Sequence, residues 1–273
     1  MTVREITARL REAGIDAALH EALLLAGKFT GKSSAVLRAD PDGVLPDSPE
    51  LAAAVSKRCG RYPLQYILGE WEFMGLPFAV NETCLIPRSD TEILCEYIIK
   101  HAPEKGRILD LCTGSGCIPA AVLHYRRDMT GEAVELYPET MRQAELNFRL
   151  LGLDGRIRGI EGDVRDDLYL PDVRFDVISA NPPYVTAEEM AALEPELSAE
   201  PAHALTDGGD GLSLLRAVID NYMPHLAEGG FMILEHGAAQ SEAVCGYALE
   251  KGYTALPLKD YGGNIRAAVI RRF

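Results

Sequence analysis

The 273-residue chain has no apolar run near the ~20 residues that a bilayer-spanning helix needs, so no transmembrane helix is expected. Its opening stretch, Met1 to Leu10, carries charges throughout and lacks the apolar centre of a secretory leader, and a cytoplasmic protein is expected. The six cysteines (Cys59, Cys84, Cys95, Cys112, Cys117 and Cys245) include no Cys-x-x-Cys pair, and no histidine stands at zinc-ligand spacing from any of them. That pattern speaks against a metal site and a disulfide framework, and predicts reduced thiols. Positive charge is scarce as well: 27 Lys and Arg against 41 Asp and Glu give a net charge of −14 and a pI of about 4.9. Gripping nucleic acid by its phosphates needs a basic face. The balance therefore favours a protein or small-molecule substrate over direct nucleic-acid binding, and an acidic surface suits steering towards a basic protein partner. Internal repeats and low-complexity tracts are missing too.

What is present is the composition of a folded protein, 47% hydrophobic and 25% charged, long enough for a catalytic domain plus a small second domain. Residues 1–62 read as helices. Ile6 and Leu10 share a face, and Leu19, Ala22, Leu23 and Ala26 recur at helical spacing between the stop signals Gly14 and Gly31. After a Pro/Asp/Gly-rich loop (39–49), a third helix is expected from near Ser48, with Pro49 in its first turn and Leu51 and Val55 on its apolar face. Residues 63–87 change character: Tyr66, Ile67, Trp71, Phe73, Phe78 and Val80, punctuated by Gly75 and Asn81-Glu82, predict a β-hairpin linker. The single tryptophan, Trp71, reads as a packing residue of that hairpin.

From residue 88 to 273 strand-like and helical patterns alternate. Strands are expected at 107–112, 133–135, 156–160, 175–180, 231–235, 253–257 and 265–271, and helices at 138–151, 211–226 and 240–251. Such alternation predicts an α/β, Rossmann-like doubly wound sheet. The final two strands are joined by Asp260-Tyr261-Gly262-Gly263-Asn264, too short for a crossover helix, so they should pair antiparallel.

Two segments carry chemistry. In Asp110-Leu111-Cys112-Thr113-Gly114-Ser115-Gly116 an apolar strand runs into a glycine-rich turn and then a helix start. Glycine is needed where backbone turns sharply against a ligand. Glu135 ends the next strand, where a carboxylate can accept from both ribose hydroxyls of a nucleoside. Pro119 takes the place of the third glycine of a dinucleotide fingerprint, so a nucleoside cofactor without a pyrophosphate fits better; S-adenosylmethionine is the common one. The second segment, Asn181-Pro182-Pro183-Tyr184, follows a strand directly. The prolines stiffen it and remove N–H donors. The Asn181 side-chain oxygen and the Pro182 carbonyl remain as acceptors suited to a planar –NH2 group, and Tyr184 offers a face for the rest of the substrate.

With these motifs on hand, the sequence resembles the HemK-type protein-(glutamine-N5) methyltransferases that modify release factors. Besides the two segments above, the likeness includes Tyr66-Ile67-Leu68-Gly69-Glu70 with Phe73, then Leu85-Ile86-Pro87-Arg88-Ser89-Asp90-Thr91-Glu92, and Glu200-Pro201 with Ala204-Leu205. It continues through Gly229-Gly230-Phe231, Leu234-Glu235-His236-Gly237, and Asp260-Tyr261-Gly262 with Arg266. The resemblance implies a helical substrate-recognition domain, a hairpin linker and a methyltransferase domain. It also implies S-adenosylmethionine as cofactor and, as partner, the Gly-Gly-Gln loop of a bacterial peptide chain release factor. Cys112 stands where the family often has glycine, Ser89 where it often has proline, and Glu135 where it usually has aspartate.

The expected site follows. Cys112, Thr113, Gly114, Ser115, Gly116, Glu135, Asp163, Val164 and Asn181 would meet the cofactor; Asn181, Pro182, Pro183 and Tyr184 would hold the substrate, with Asn181, Pro182 and Tyr184 as the catalytic group. Asp163 reads either as an adenine neighbour or as a solvated loop carboxylate, and Val164 as adenine padding or core. Asp110 is expected to satisfy backbone donors of the glycine-rich turn. Arg88 and Glu92 would orient the target loop or the cofactor, or form an ion pair; Glu235 could line the pocket, and His236 reads as structural. No metal is expected, and a monomer is. Two alternatives stand beside this reading: an adenine-N6 methyltransferase of nucleic acid using the same Asn-Pro-Pro-Tyr loop, and a catalytically inactive S-adenosylmethionine-binding relative that acts as a binding protein.

Overall fold

The computed structural model describes residues 1–169 and 172–273. They form two compact units, Met1–Glu70 with Glu194–Ala199, and Trp71–Leu193 with Glu200–Phe273.

The first unit is helical. α1 (Val3–Glu12) starts at a capping box in which the Thr2 hydroxyl accepts from the Glu5 N–H at 3.1 Å and the Glu5 carboxylate accepts from the Thr2 N–H at 2.9 Å. α2 (Ala18–Thr30) ends at Gly31 in the left-handed conformation. Ile6 and Leu10 are buried as expected, but Leu19 is 44% exposed. The buried residues of α2 are Ala18, Ala22, Leu23, Leu25 and Ala26, so of the expected positions Ala22, Leu23 and Ala26 are buried and Leu19 falls at the edge of the face. α3 (Ser34–Ala39), capped by Ser33, lies where no helix was expected; six residues are too few to show a period. α4 (Pro49–Cys59) begins as read, with Ser48 as its cap and Pro49 in the first turn. α5 (Leu64–Leu68) corrects the extended reading of Tyr66 and Ile67: one helical turn closes at Gly69, φ +72°. Arg58 is the buried charge of this unit. It donates to Glu21 at 2.6 and 3.1 Å and to Glu196 at 3.0 Å, while Arg61 reaches the other Glu196 oxygen at 2.9 Å.

The hairpin is β1 (Glu70–Phe73) and β2 (Leu76–Ala79). Met74 and Gly75 between them both have positive φ, the pattern of a two-residue type I′ turn. Its buried aromatics are Phe73 and Phe78, edge to face at 6.0 Å, while Trp71 is half-buried.

In the second unit α6 (Glu92–His101) leads into β3 (Arg107–Leu111), α7 (Cys117–Tyr125), β4 (Thr130–Glu135), α8 (Pro138–Leu150), β5 (Ile157–Glu161) and β6 (Phe175–Ala180). Two short helices, α9 (Ala187–Met190) and α10 (Ala202–Leu205), precede α11 (Ser213–Tyr222), β7 (Leu226–Glu235), α12 (Ser241–Glu250), β8 (Tyr253–Lys259) and β9 (Ile265–Arg272). The seven-stranded sheet has the order β5-β4-β3-β6-β7-β9-β8. Neighbours pair parallel from β5 to β7, and β9 runs antiparallel to both β7 and β8, as its short connection requires.

Alternate residues of the strands point to opposite faces, and both faces are buried. Ile108, Ala133, Val177 and Phe231 pack with α6, α7 and α8 on one side; Leu109, Val134, Ile178 and Met232 pack with α11 and α12 on the other. β4 begins three residues earlier than its apolar content suggests. Gly131 fits there because a Cβ would stand 2.8 Å from Ile108 Cγ2, so the neighbouring strand, not the local sequence, explains that glycine.

Candidate active site

β3, β4 and β6 end together: Leu111 pairs with Val134 on one side and with Ala180 on the other. The strand order reverses at β3, and a crevice beyond the carboxyl ends of strands at such a point is where open α/β sheets take ligands. A cavity of about 240 Å³ lies there. The turn after β3, the residues after β4, Asp163 and Val164 after β5, and Asn181 and Pro183 after β6 all line it.

The glycine-rich turn is held from below by Asp110, which is fully buried. Asp110 accepts from the Thr113 hydroxyl and from the Ser179 hydroxyl, each at 2.6 Å, and not from the backbone donors expected of it. A carboxylate directed down into the sheet can reach only side chains of the adjoining strand and turn. Burial pushes its pKa up to about 7 against the pull of those two hydroxyls. The backbone donor of the turn goes instead to Glu135. Its Oε2 accepts from the Gly114 N–H at 3.0 Å, and its Oε1 accepts from the N–H groups of Leu136 at 3.0 Å and Tyr137 at 3.2 Å. Burial raises the Glu135 pKa, with these three bonds opposing the rise.

Cys112 has φ +55°, a conformation strained for a side chain. Gly114, φ +56°, lines the cavity and has no atom within 4 Å of a would-be Cβ, leaving backbone open to a ligand. Gly116 is different. It does not line the cavity, and its Cβ would stand 2.5 Å from the Phe148 ring, so its smallness serves packing against α8. Thr113 and Ser115 complete the lining from this turn. The Asp163 carboxylate is held by Arg165, whose N–H and Nε each donate to Oδ1 at 2.9 Å, and this ion pair holds its pKa below the usual carboxylate range.

The Asn-Pro-Pro-Tyr loop is fastened by side chains. Asn181 Nδ2 donates to the Thr91 hydroxyl at 3.4 Å. Pro182 is buried and does not line the cavity. Tyr184 does not line it either: its hydroxyl donates to Glu235 Oε1 at 3.1 Å, and its carbonyl accepts from Gln240 Nε2 at 2.9 Å. Gly211 makes room for that carbonyl, since a Cβ would come within 2.1 Å of it.

Two family models match the chain, the PrmC N-terminal domain over residues 2–69 and the methyltransferase small domain over residues 89–230. A release factor glutamine methyltransferase of Cereibacter sphaeroides is 37% identical over 98% of this chain and 96% of its own length. One of Rhodospirillum rubrum is 37% identical over 97% of this chain and 82% of its own. The chain belongs to the release factor glutamine methyltransferases. Among solved structures, the hMettl16 catalytic domain in complex with MAT2A 3′UTR hairpin 1 is similar in fold, with a TM-score of 0.57 at 16% identity over 84% of this chain and 82% of that one.

Within this release factor glutamine methyltransferase, several residues that the sequence reading singled out take definite places. Arg88 lines the cavity and pairs with the buried Glu200, whose other oxygen accepts from the Ile86 N–H at 3.0 Å. Glu92 is not its partner; Glu92 accepts from the Met74 N–H in the hairpin turn at 2.8 Å. Glu235 is buried behind the Asn-Pro-Pro-Tyr loop and not in the cavity lining. His236 bonds the Gly237 carbonyl through Nδ1 at 2.9 Å. The sequence reading missed Tyr137 and His203, whose rings face each other at 3.8 Å from two sides of the cavity lining. Tyr137 was findable, being two residues beyond Glu135; His203, on the four-residue α10, shows no sequence signal of its place.

Proposed function

We propose that the cavity holds S-adenosylmethionine and that Asn181 and Pro182 present to it the side-chain amide nitrogen of the glutamine in a release factor's Gly-Gly-Gln loop. The observation that carries this reading is the meeting of two unlike loops at one cavity. One offers open backbone beside a buried carboxylate, and the other brings Asn181, whose Nδ2 is taken up by Thr91, to the cavity wall beside Pro183. The residues present fit a nucleoside cofactor. Cys112, Thr113, Gly114 and Ser115 would lie along it, Glu135 would take the ribose hydroxyls, and Asp163 with Val164 would flank the adenine; Gly116 supports the turn from behind. When bound, S-adenosylmethionine supplies an electrophilic methyl group on a sulfonium.

The rest is the work of this chain. An amide nitrogen is a poor nucleophile because its lone pair is delocalised. Asn181 Oδ1 at the cavity wall and the Pro182 carbonyl beside it, just outside the cavity lining, would accept its two N–H bonds, raise its electron density and fix the direction of the lone pair. A strong general base is not required beforehand, because the nitrogen's proton becomes acidic once the nitrogen is alkylated. Pro183 would wall the target side chain, and Tyr184 would hold the loop to Glu235.

Transfer of labelled methyl from S-adenosylmethionine to a purified release factor tests the reading, with a Gln→Ala change in the target loop as control. Label on the unchanged loop alone is the expected result; label on both, or on neither with cofactor binding intact, removes the assignment. A substrate of the translation machinery would place the reaction in the cytoplasm. We further propose that residues 1–62 form the partner-recognition domain and 63–87 a linker to the catalytic domain of 88–273. A whole release factor should then show a lower KM than an isolated Gly-Gly-Gln loop peptide, and equal KM values would contradict it.

A further inference from the structure

Glu235 is a buried carboxylate to which the proposed reaction gives no chemical part. It ends β7, is 2% exposed, and accepts from the Tyr184 hydroxyl on Oε1. Its Oε2 is buried with no donor in hydrogen-bonding geometry among the described residues. The hydroxyl of Thr91, itself 2% exposed, stands close enough to pull the Glu235 pKa down. Thr91 in turn is the group to which Asn181 Nδ2 donates. Thr91 thus stands between Glu235 and Asn181, hydrogen-bonded to Asn181 and close enough to Glu235 to supply the donor that its Oε2 lacks.

The polarity of that arrangement matters. The two ends of a carboxamide have nearly the same shape, and their hydrogen-bond partners decide which is oxygen and which is nitrogen. A threonine hydroxyl has one hydrogen. If a carboxylate takes it, the hydroxyl oxygen can only accept from Asn181. Nδ2 then faces Thr91 and Oδ1 faces the cavity. If the group at 235 donates instead, the hydroxyl hydrogen turns towards Asn181, Oδ1 turns back to accept it, and the cavity meets a donor.

We propose that Glu235 is a positioning residue that, through Thr91, fixes the orientation of the Asn181 amide and so presents an acceptor to the target –NH2 group. This rests on the reading of Asn181 given above. Burial pushes the Glu235 carboxyl up to about 7, with Thr91, Tyr184 and Arg266 opposing the rise and Asp90 adding to it. The carboxylate form that the arrangement needs is therefore secured at pH 8.

The test is made at pH 8 on the full chain. Glu235→Gln keeps the shape and puts a donor in place of one acceptor. In the unaltered protein a nuclear Overhauser contact is expected between the Asn181 side-chain amide protons and the Thr91 γ-methyl; in E235Q it should vanish. The same variant should lose on the order of 10²-fold in kcat with S-adenosylmethionine affinity held within about threefold. Thr91→Val should repeat the loss, and Thr91→Ser, which keeps the hydroxyl, should recover most of it. An unchanged Overhauser contact in E235Q overturns the proposal whatever the kinetics. A contact that vanishes while turnover persists upholds the orienting arrangement and instead removes Asn181 as the acceptor for the target amide.

Discussion

The two loops at the end of the parallel strands reach rigidity by opposite means. The turn after β3 is held mostly through its backbone: the Thr113 N–H donates to the Val134 carbonyl, the Gly116 N–H to the Thr113 carbonyl and the Gly114 N–H to Glu135, left-handed residues bend it, and the Thr113 hydroxyl adds one side-chain bond to Asp110. The loop after β6 has surrendered two N–H groups to proline and is held through side chains, Asn181 to Thr91 and Tyr184 to Glu235. A backbone-held turn leaves peptide groups open to a ligand, as at Gly114. A side-chain-held loop offers acceptors, and its function depends on the identity of each member. The first should therefore fail through affinity or stability and the second through turnover.

Four substitutions sharpen that contrast. Asn181→Ala should lower turnover by about 10³-fold, roughly 4 kcal/mol, and leave S-adenosylmethionine affinity nearly intact by calorimetry; a matching loss of cofactor affinity would erase the distinction. Gly116→Ala adds a Cβ 2.5 Å from Phe148 in a left-handed residue, and should cost about 3 kcal/mol of stability in denaturant unfolding. A near-neutral result there would mean that α8 yields more readily than a packed helix should. Glu135→Ala strips the acceptor from three backbone donors and should weaken cofactor binding by roughly 30-fold, about 2 kcal/mol, with little further change in kcat once saturated. Cys112→Gly relieves the strained φ but adds chain entropy, so the net gain should stay below about 1 kcal/mol. A clear loss of stability would show that the thiol's packing outweighs the strain.

Legibility in the sequence followed the range of the forces involved. β6 was readable to the residue because Phe175, Val177, Ile178 and Ala180 are apolar and a proline pair follows one residue later. β4 was readable only in its second half, since Thr130-Gly131-Glu132 owes its place to Ile108 of the neighbouring strand. α5 was misread because one turn closed by Gly69 has no period, and Tyr66 and Ile67 favour strands when judged alone. In the site, the motif residues Gly114, Glu135, Asn181 and Pro183 meet at one cavity, as their spacing after successive strands suggests. The pairing of Tyr184 with Glu235, and of Tyr137 with His203, joins residues far apart in the chain. No local pattern encodes such contacts; they exist only once the sheet has placed its strand ends side by side. The same applies to Asp110, whose partner Ser179 lies on the adjoining strand.

The helical unit is assembled from two separated pieces of chain, Met1–Glu70 and Glu194–Ala199, and the later piece brings Glu196 to Arg58 and Arg61. On a ribosome the first piece emerges long before the second. Until Glu196 has been synthesised, the buried Arg58 has only Glu21 to neutralise it, and most of the sheet is made in the interval. Where leading domains usually finish folding first, the N-terminal unit can complete its Arg58–Glu196 and Arg61–Glu196 pairs only after the loop that follows Asn181–Tyr184 has been made. A nascent chain stalled before Glu194 should leave that unit more open to protease than one stalled after Ala199.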